Sequence, residues 1–144
     1  MSEGSPTPDL AEVVTGLFEA ADREDWEAVI SAYAPDAVWE TEDGILDVAG
    51  ASGVRGLLED WAGAFEDWTI KVETVVDLGN GIVYSVYHQE GRPAGSTAVV
   101  AETAVLIYEW VDGVIARLIG RQDIDAARVL AERLAERRPR RSMR

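Results

Sequence analysis

Four β-rich runs in the second half of the chain constrain its fold more than any other feature of the sequence. The runs are residues 69–78, 82–90, 97–111 and 114–123. They are rich in Val, Ile, Tyr and Thr, which favour pleated strands. Turn signals lie between them at 79–81, 91–95 and 112–113, with Asn-Gly in the first and Asp-Gly in the last. Because these dipeptides readily adopt the positive φ angles of tight hairpins, the pattern predicts an antiparallel meander of four long strands.

Helical patterns surround the meander. Apolar residues at helical spacing predict helices at residues 9–22, 24–33, 51–65 and 125–138. Asp9 is a suitable N-cap for the first helix, and Pro35 disfavours helical backbone just after the second. Two short strands are predicted between the second and third helices, at 37–41 and 45–48. The element order is therefore helix, helix, short strands, helix, meander, helix.

Length and composition indicate one domain. The chain has 144 residues, of which 47% are hydrophobic, enough to bury a substantial core. We predict a disordered leader at 1–8, a single domain at 9–138 and a basic disordered tail at 139–144. The N-terminus lacks the pattern of a signal peptide, and no apolar run approaches the ~20 residues of a membrane span. A cytoplasmic protein without a membrane partner is predicted.

Charge and residue usage exclude several kinds of site. The chain has no Cys and one His, His88, so disulfides, thiolate nucleophiles and histidine-rich metal sites are excluded. The net charge is −14 although the C-terminal end is rich in Arg, and an acidic body repels nucleic acid. The sequence predicts no metal, no cofactor and no nucleic-acid partner.

Several local strings, in this order and spacing, resemble a known family. They lie at residues 21–40, 53–61, 91–96, 112–118 and 123–127. They resemble the SnoaL-like branch of the nuclear transport factor 2-like superfamily, over residues 9 to about 135. The resemblance implies an α+β fold in which a curved antiparallel sheet forms a cone around the N-terminal helices, with a pocket at its open end. Members include isomerases, polyketide cyclases, epoxide hydrolases and binding proteins, so the fold does not settle the function.

The positions that carry acids in active members of this family hold other residues here. The resemblance places the general base of steroid isomerases at Thr41, and their two oxyanion donors near Leu17 and Leu106. The acid on the last strand of many cyclases and epoxide hydrolases falls on Gly120. Since none of these side chains can transfer a proton from a carbon acid, those three chemistries are disfavoured.

Strand alternation predicts which side chains face the inside of the cone. The inward set is Trp39, Thr41, Ser85, Tyr87, Gln89, Glu102, Ala104, Leu106, Tyr108, Trp110, Leu118, Gly120 and Gln122. Its one carboxylate, Glu102, is the candidate general base, and Tyr87 or Tyr108 could polarise a carbonyl. The alternative is that Glu102 is solvated at the rim or paired with an arginine.

Aromatic residues dominate the predicted pocket. The predicted ligand-binding residues are Tyr33, Trp39, Thr41, Trp61, Phe65, Gln89, Trp110, Leu118 and Gln122. Aromatic rings and a few polar groups are typical of small-molecule pockets. Ordinary core packing is the alternative interpretation of the same aromatic residues.

The opposite face of the sheet is also apolar. Its predicted residues are Ile82, Tyr84, Val86, Val99, Ala101, Val105, Ile107 and Ile119. A sheet that is apolar on both faces is normally covered on both, so we predict a homodimer formed through the convex face.

Two functions follow from these residues. The first is the binding of a small, largely apolar, cyclic or polyketide-like molecule; the sequence leaves open whether the protein is an enzyme. If it is one, we expect cofactor-free isomerisation or cyclisation. The alternative is a non-catalytic homodimeric interaction or regulatory module.

Overall fold

The computed structural model describes residues 9–41 and 48–137. Within these residues the chain forms four helices and six strands. The helices are α1 (Leu10–Asp22), α2 (Trp26–Ile30), α3 (Ala51–Gly63) and α4 (Ile124–Arg137). The strands are β1 (Tyr33–Glu40), β2 (Val48–Ala49), β3 (Phe65–Gly79), β4 (Ile82–Pro93), β5 (Val100–Val111) and β6 (Val114–Arg121). The predicted leader 1–8, the tail 139–144 and residues 45–47 of the second short strand lie outside the described residues.

The strands form one sheet in the order β2-β1-β6-β5-β4-β3. Strands β3 to β6 make the predicted antiparallel meander. Strand β1, however, pairs with β6 in parallel, so the sheet is mixed and the prediction of a wholly antiparallel sheet was wrong in this detail. Turn signals reveal only strands that are neighbours in sequence, whereas β1 and β6 are separated by four other strands and a helix. The predicted α+β class itself is confirmed.

The predicted hairpin turns have the expected backbone geometry. Asn80 and Gly81 have φ angles of 56° and 81°, and Asp112 and Gly113 have φ angles of 53° and 86°. Two consecutive residues with positive φ give the tight turn whose twist matches that of the flanking strands. The dipeptides thus fix the register of two of the three hairpins.

Strand β3 lies at one edge of the sheet and is irregular. Its pairing with β4 shifts register at three places, between Glu66 and Thr69, between Val72 and Thr74, and next to Gly79. Asp67 lies in the first irregularity with a φ angle of 56°. Such bulges bend a strand and increase its twist, so β3 is curved rather than flat.

The N-terminal helices begin at capping aspartates. The Asp9 side chain accepts a hydrogen bond from the Ala11 N–H at 3.0 Å, which starts α1 as predicted. Helix α2 ends at Ile30, earlier than predicted, and Tyr33 opens strand β1 instead of closing the helix. The Ile115 N–H donates to the Ala32 carbonyl at 2.8 Å, so pairing with β6 takes the backbone away from the helix.

Different elements cover the two faces of the sheet. On the concave face, a buried cluster contains residues of α1, α2 and α3 together with inward residues of β4, β5 and β6. On the convex face, α4 lays Ala127, Ala131 and Ala135 against the sheet. Small residues at every fourth position let this helix approach the sheet closely.

Helix α4 covers most of the convex residues from which a dimer was predicted. Ile82, Tyr84, Val86, Val105, Ile107 and Ile119 are buried in one cluster with α4. The reason for predicting dimerisation was therefore wrong for these six residues, because the chain covers them itself. Val99 remains 61% exposed and Val100 45% exposed, at the start of β5.

Candidate functional site

A cavity of about 490 Å³ lies between the concave face of the sheet and helices α1, α2 and α3. Its volume is within the usual range for small-molecule sites. Aromatic and aliphatic side chains make up most of the wall: Leu17, Phe18, Val29, Tyr33, Trp39, Leu57, Leu58, Trp61, Trp68, Ile70, Tyr87, Leu106, Tyr108 and Leu118. Polar side chains add Thr41, Gln89, Glu102, Arg121 and Gln122, and the remaining wall is Ala21, Ala104 and Gly120.

Strand register places the predicted inward residues along this cavity. Gln89 pairs with Glu102, and Tyr87 pairs with Ala104 one step deeper. Tyr108 pairs with Leu118, which in turn pairs with Trp39 on β1. Of the predicted ligand-binding residues, the following line the cavity: Tyr33, Trp39, Thr41, Trp61, Gln89, Leu118 and Gln122. The predicted catalytic residues Glu102, Tyr87 and Tyr108 line it as well.

Phe65 and Trp110 were predicted as ligand-binding residues but do not line the cavity. Trp110 is 6% exposed and belongs to the inner core, beyond Tyr108 on the same strand. Phe65 stacks on Trp61 with ring centroids 5.2 Å apart, at the start of β3. A Cβ at Gly91 would lie 3.0 Å from the Phe65 Cβ, so the glycine makes room for this ring.

Other cavity residues were missed or given a different role. Arg121 is absent from the predicted inward set, yet it lines the cavity, and its guanidinium Nη1 donates to the Gly120 carbonyl at 2.8 Å. Trp68 also lines the cavity and is absent from the predicted ligand-binding residues. The alternation of Trp68 and Ile70 was visible in the sequence, but the predicted strand began one residue too late to include Trp68.

A chain of side-chain hydrogen bonds fixes Glu102. The indole N–H groups of Trp61 and Trp68 both donate to Gln89 Oε1, at 2.9 and 3.0 Å. Because an indole can only donate, the amide oxygen of Gln89 must face the two rings and its Nε2 must face away from them. That Nε2 donates to Glu102 Oε1 at 2.8 Å.

Gln122 completes the network from the other side. Its Nε2 donates to Glu102 Oε2 at 3.1 Å, so each carboxylate oxygen accepts one amide hydrogen bond. Glu102 is half-buried. Among the residues that the structure describes, no Lys, Arg or His nitrogen lies within 4.0 Å of its carboxylate. The carboxylate is thus oriented by neutral groups and is not paired with an arginine, one of the two alternatives considered from the sequence.

Three tyrosine hydroxyls reach the cavity without hydrogen-bond partners in the described part of the chain. Tyr33 and Tyr108 are buried and Tyr87 is half-buried. Burial raises the pKa of each phenol well above its ordinary value. The negative charge of Glu102 raises the pKa of Tyr87 further, and the neighbouring Tyr33 and Tyr87 do the same for Tyr108. The hydroxyls are therefore neutral donors that face an apolar space.

The three predicted catalytic residues lie at different distances from one another along the strands. Glu102 and Tyr108 are six residues apart on β5, about 20 Å at ~3.3 Å per residue. Tyr87 is two residues from Gln89, and Gln89 is the strand partner of Glu102. The separation of Tyr87 and Glu102 along the strand direction is therefore about 7 Å. One carbonyl compound can therefore contact Glu102 and Tyr87 together more easily than Glu102 and Tyr108.

The positions that carry acids in active relatives also line the cavity. Leu17, Thr41, Leu106 and Gly120 all contribute to its wall. A Cβ at position 120 would lie 3.3 Å from the Trp39 indole nitrogen. The Trp39 ring thus occupies the space that a larger side chain on β6 would need, which accounts for the glycine at this position.

Neither a metal-binding cluster nor a membrane-spanning helix is present within residues 9–41 and 48–137. No group of three or more His, Cys, Asp or Glu side chains is arranged to hold a metal ion. None of the helices in this part of the chain is long and apolar enough to cross a membrane.

Solved structures with the same fold come from several bacteria. An NTF2-like protein of unknown function from Burkholderia pseudomallei K96243 superposes with a TM-score of 0.70 at 15% identity, over 87% of this chain and 98% of that one. A putative SnoaL-like polyketide cyclase from Shewanella putrefaciens CN-32 gives 0.66 at 16% identity, over 92% and 100%. RV0760c from Mycobacterium tuberculosis, in complex with estradiol-17β-hemisuccinate, gives 0.64 at 17% identity, over 79% and 93%.

A match to a family model identifies the family of this chain. The chain matches no curated protein. The family model described as a SnoaL-like domain matches residues 14–118, well over half of the chain and nearly all of the elements that enclose the cavity. The chain therefore belongs to the SnoaL-like domain family, and it shares its fold with an NTF2-like protein.

Proposed function

We propose that the protein binds a small, largely apolar, cyclic molecule in this cavity. The observation that carries the proposal is the cavity of about 490 Å³, walled by aromatic and aliphatic side chains and bordered by a few fixed polar groups. A fused ring system of two to four rings fits such a space and such a wall. RV0760c, which shares the fold, was crystallised with a steroid ester.

The experiment combines ligand identification with a blocked cavity. Native mass spectrometry of the purified protein, followed by denaturing release, identifies any bound small molecule. Thermal unfolding with neutral probes such as α-tetralone and 2-naphthol then measures stabilisation, because a ligand of the folded state raises Tm with concentration. Leu106→Trp places a large ring in the cavity and should abolish the shift.

The matched control lies on the same strand. Ile107 is the next residue and faces α4, so Ile107→Leu should retain the ligand-induced shift. A purified protein without ligand, together with no stabilisation by any cyclic probe, would contradict the proposed function. Equal shifts in the wild type and in Leu106→Trp would place binding outside the cavity.

Proton transfer is a second candidate, favoured by the closeness of Tyr87 to Glu102. In this mechanism the carboxylate takes a proton from the carbon next to a carbonyl, and the neutral Tyr87 hydroxyl donates a hydrogen bond to the enolate oxygen. Deuterium exchange of α-tetralone, followed by NMR, tests it. Glu102→Gln should lower the rate about 100-fold or more, whereas Glu90→Gln, an exposed carboxylate, should not.

Three expectations from the sequence stay predictions. They are homodimerisation, the alternative role as an interaction module and a cytoplasmic location. Val99 and Ala101 are the residues of the predicted convex set that stay exposed, and they are the remaining support for a dimer. Sedimentation equilibrium of the wild type and of Val99→Asp tests it: a dimer formed through this surface should dissociate in the variant. An interaction module would also bind no cavity probe.

A further inference from the structure

Glu102 carries a charge that its surroundings orient but do not neutralise. It is the one carboxylate among the described residues of the cavity wall. Both of its oxygens accept hydrogen bonds, but the donors are the uncharged amides of Gln89 and Gln122. Two such bonds hold the carboxylate in one position.

The setting makes an unpaired negative charge costly. Glu102 is half-buried beside a largely apolar wall, where a charge loses part of its hydration. A ligand that brings a positive charge to this carboxylate recovers part of that cost on binding. The net charge of −14 also raises the local concentration of cations around the protein.

Aromatic rings surround the same end of the cavity. Trp61 and Trp68 are joined to Glu102 through the Gln89 amide, and Trp61 stacks on Phe65. Trp61 lines the cavity and is 43% exposed, so part of this residue stays accessible to solvent. The faces of such rings attract ammonium groups, which adds to the attraction of the carboxylate.

Arg121 is the one positively charged side chain of the described cavity wall. It would favour a negatively charged ligand. Its guanidinium donates to the Gly120 carbonyl and forms no ion pair with a carboxylate in the described residues. An anion at Arg121 would enter a site that also holds Glu102, on a protein with a net charge of −14. The charge balance therefore favours a cation.

We infer that the ligand carries a basic nitrogen, protonated at neutral pH, at the end of an apolar ring system, and that Glu102 is its counter-ion. The inference rests on the proposed binding function and adds the chemical class of the ligand. The rings occupy the aromatic cavity, and the ammonium group lies between Glu102 and Trp61. A cation that stays paired with Glu102 prevents this carboxylate from taking a proton, so this role and the role of general base exclude each other on one ligand.

Three probes that share one ring system test the inference. They are 2-naphthylmethylamine, a cation at pH 7, the neutral 2-naphthylmethanol and the anion 2-naphthoate. Isothermal titration calorimetry measures their Kd values at low and high salt. The amine should bind about tenfold more tightly than the alcohol, as expected for a hydrogen bond between charged groups, and high salt should reduce this preference.

Two variants that each remove one negative charge distinguish a direct contact between the amine and Glu102 from long-range attraction by the net charge of the protein. Glu102→Gln keeps the size of the side chain and should bring amine and alcohol within about twofold of each other, with the alcohol unchanged. Glu90→Gln changes the net charge equally, but at an exposed position outside the cavity wall, and should keep most of the preference. Circular dichroism of both variants verifies that they are folded.

The possible binding results distinguish a failure of this inference from a failure of the proposed binding function. If the alcohol binds as tightly as the amine and Leu106→Trp abolishes both, the cavity is the site but the inference is wrong. Tighter binding of 2-naphthoate, lost in Arg121→Gln, would assign an anionic ligand and overturn the inference. If no naphthyl probe binds, the proposed function fails as well.

Discussion

The two faces of the sheet are built from the same strands, yet one is filled and the other encloses a cavity. On the convex face, α4 presents alanines, and the sheet presents Ile and Val that are 0% exposed. On the concave face, long aromatic side chains meet helices that carry other large side chains, and a cavity remains between them. Small residues on the covering helix allow close packing, whereas large rings hold the layers apart. The difference in side-chain size separates a closely packed face from a face that encloses a cavity.

The largest expected effect compares two neighbouring residues of β6. Ile119 faces α4 and Leu118 faces the cavity. Ile119→Ala should lower the free energy of unfolding by about 3 kcal/mol, because it creates a new cavity in a closely packed region. Leu118→Ala should cost about 2 kcal/mol, since its side chain already borders empty space. Urea denaturation measures both; an equal or reversed order would contradict the distinction between the faces.

The hydrogen-bond network at Gln89 should give the next largest effect. Gln89→Leu leaves the buried Trp68 indole without its acceptor and removes one donor to Glu102. We expect a loss of about 2 kcal/mol in the free energy of unfolding. Gln122 is exposed, so Gln122→Leu should cost about 0.5 kcal/mol or less. Similar losses in the two variants would show that the indole contacts contribute little.

Alkaline pH should weaken the fold through the buried phenols of the concave face. The pKa values of Tyr33 and Tyr108 are raised by burial, whereas in the unfolded chain a tyrosine titrates near pH 10. Above about pH 10 the unfolded chain loses protons that the folded chain retains, so stability falls as pH rises. Each of the two residues should contribute up to about 1.4 kcal/mol per pH unit. Denaturation from pH 9 to 11 should give a shallower slope for Tyr108→Phe than for the wild type.

At neutral pH the smallest effect compares one hydroxyl from each face. The Tyr84 hydroxyl, on the convex face, donates to the Ile124 carbonyl at 3.1 Å, whereas the Tyr108 hydroxyl has no partner in the described residues. Tyr84→Phe should lower the free energy of unfolding by about 1 kcal/mol. Tyr108→Phe should change it by less than about 0.5 kcal/mol while weakening the binding of carbonyl-containing probes. A larger loss for Tyr108→Phe than for Tyr84→Phe would contradict an open binding face.

Sequence patterns predicted the local features well because those features depend on neighbouring residues. The Asn80-Gly81 and Asp112-Gly113 turns fixed two hairpins, and the turns with strand alternation then assigned Glu102 to the concave face and Ile107 to the convex face. A shift of one residue would have exchanged the two faces. The α+β class followed from the order of the elements.

Features that depend on distant residues could not be read from the sequence. The parallel pairing of β1 with β6 and the packing of α4 on the convex face join segments that no turn signal connects. The Gln89 network joins β4, α3, β3 and β5, and its geometry depends on which amide atom faces the indoles.

The irregular outer strand β3 has a consequence for the behaviour of the protein at high concentration. A long edge strand offers unpaired backbone groups to which a second molecule could add a strand. In β3, three register shifts and the left-handed Asp67 interrupt that row, and Lys71 and Glu73 add charges along it. A second strand therefore finds only short stretches to pair with, which protects this edge of the sheet from edge-to-edge aggregation.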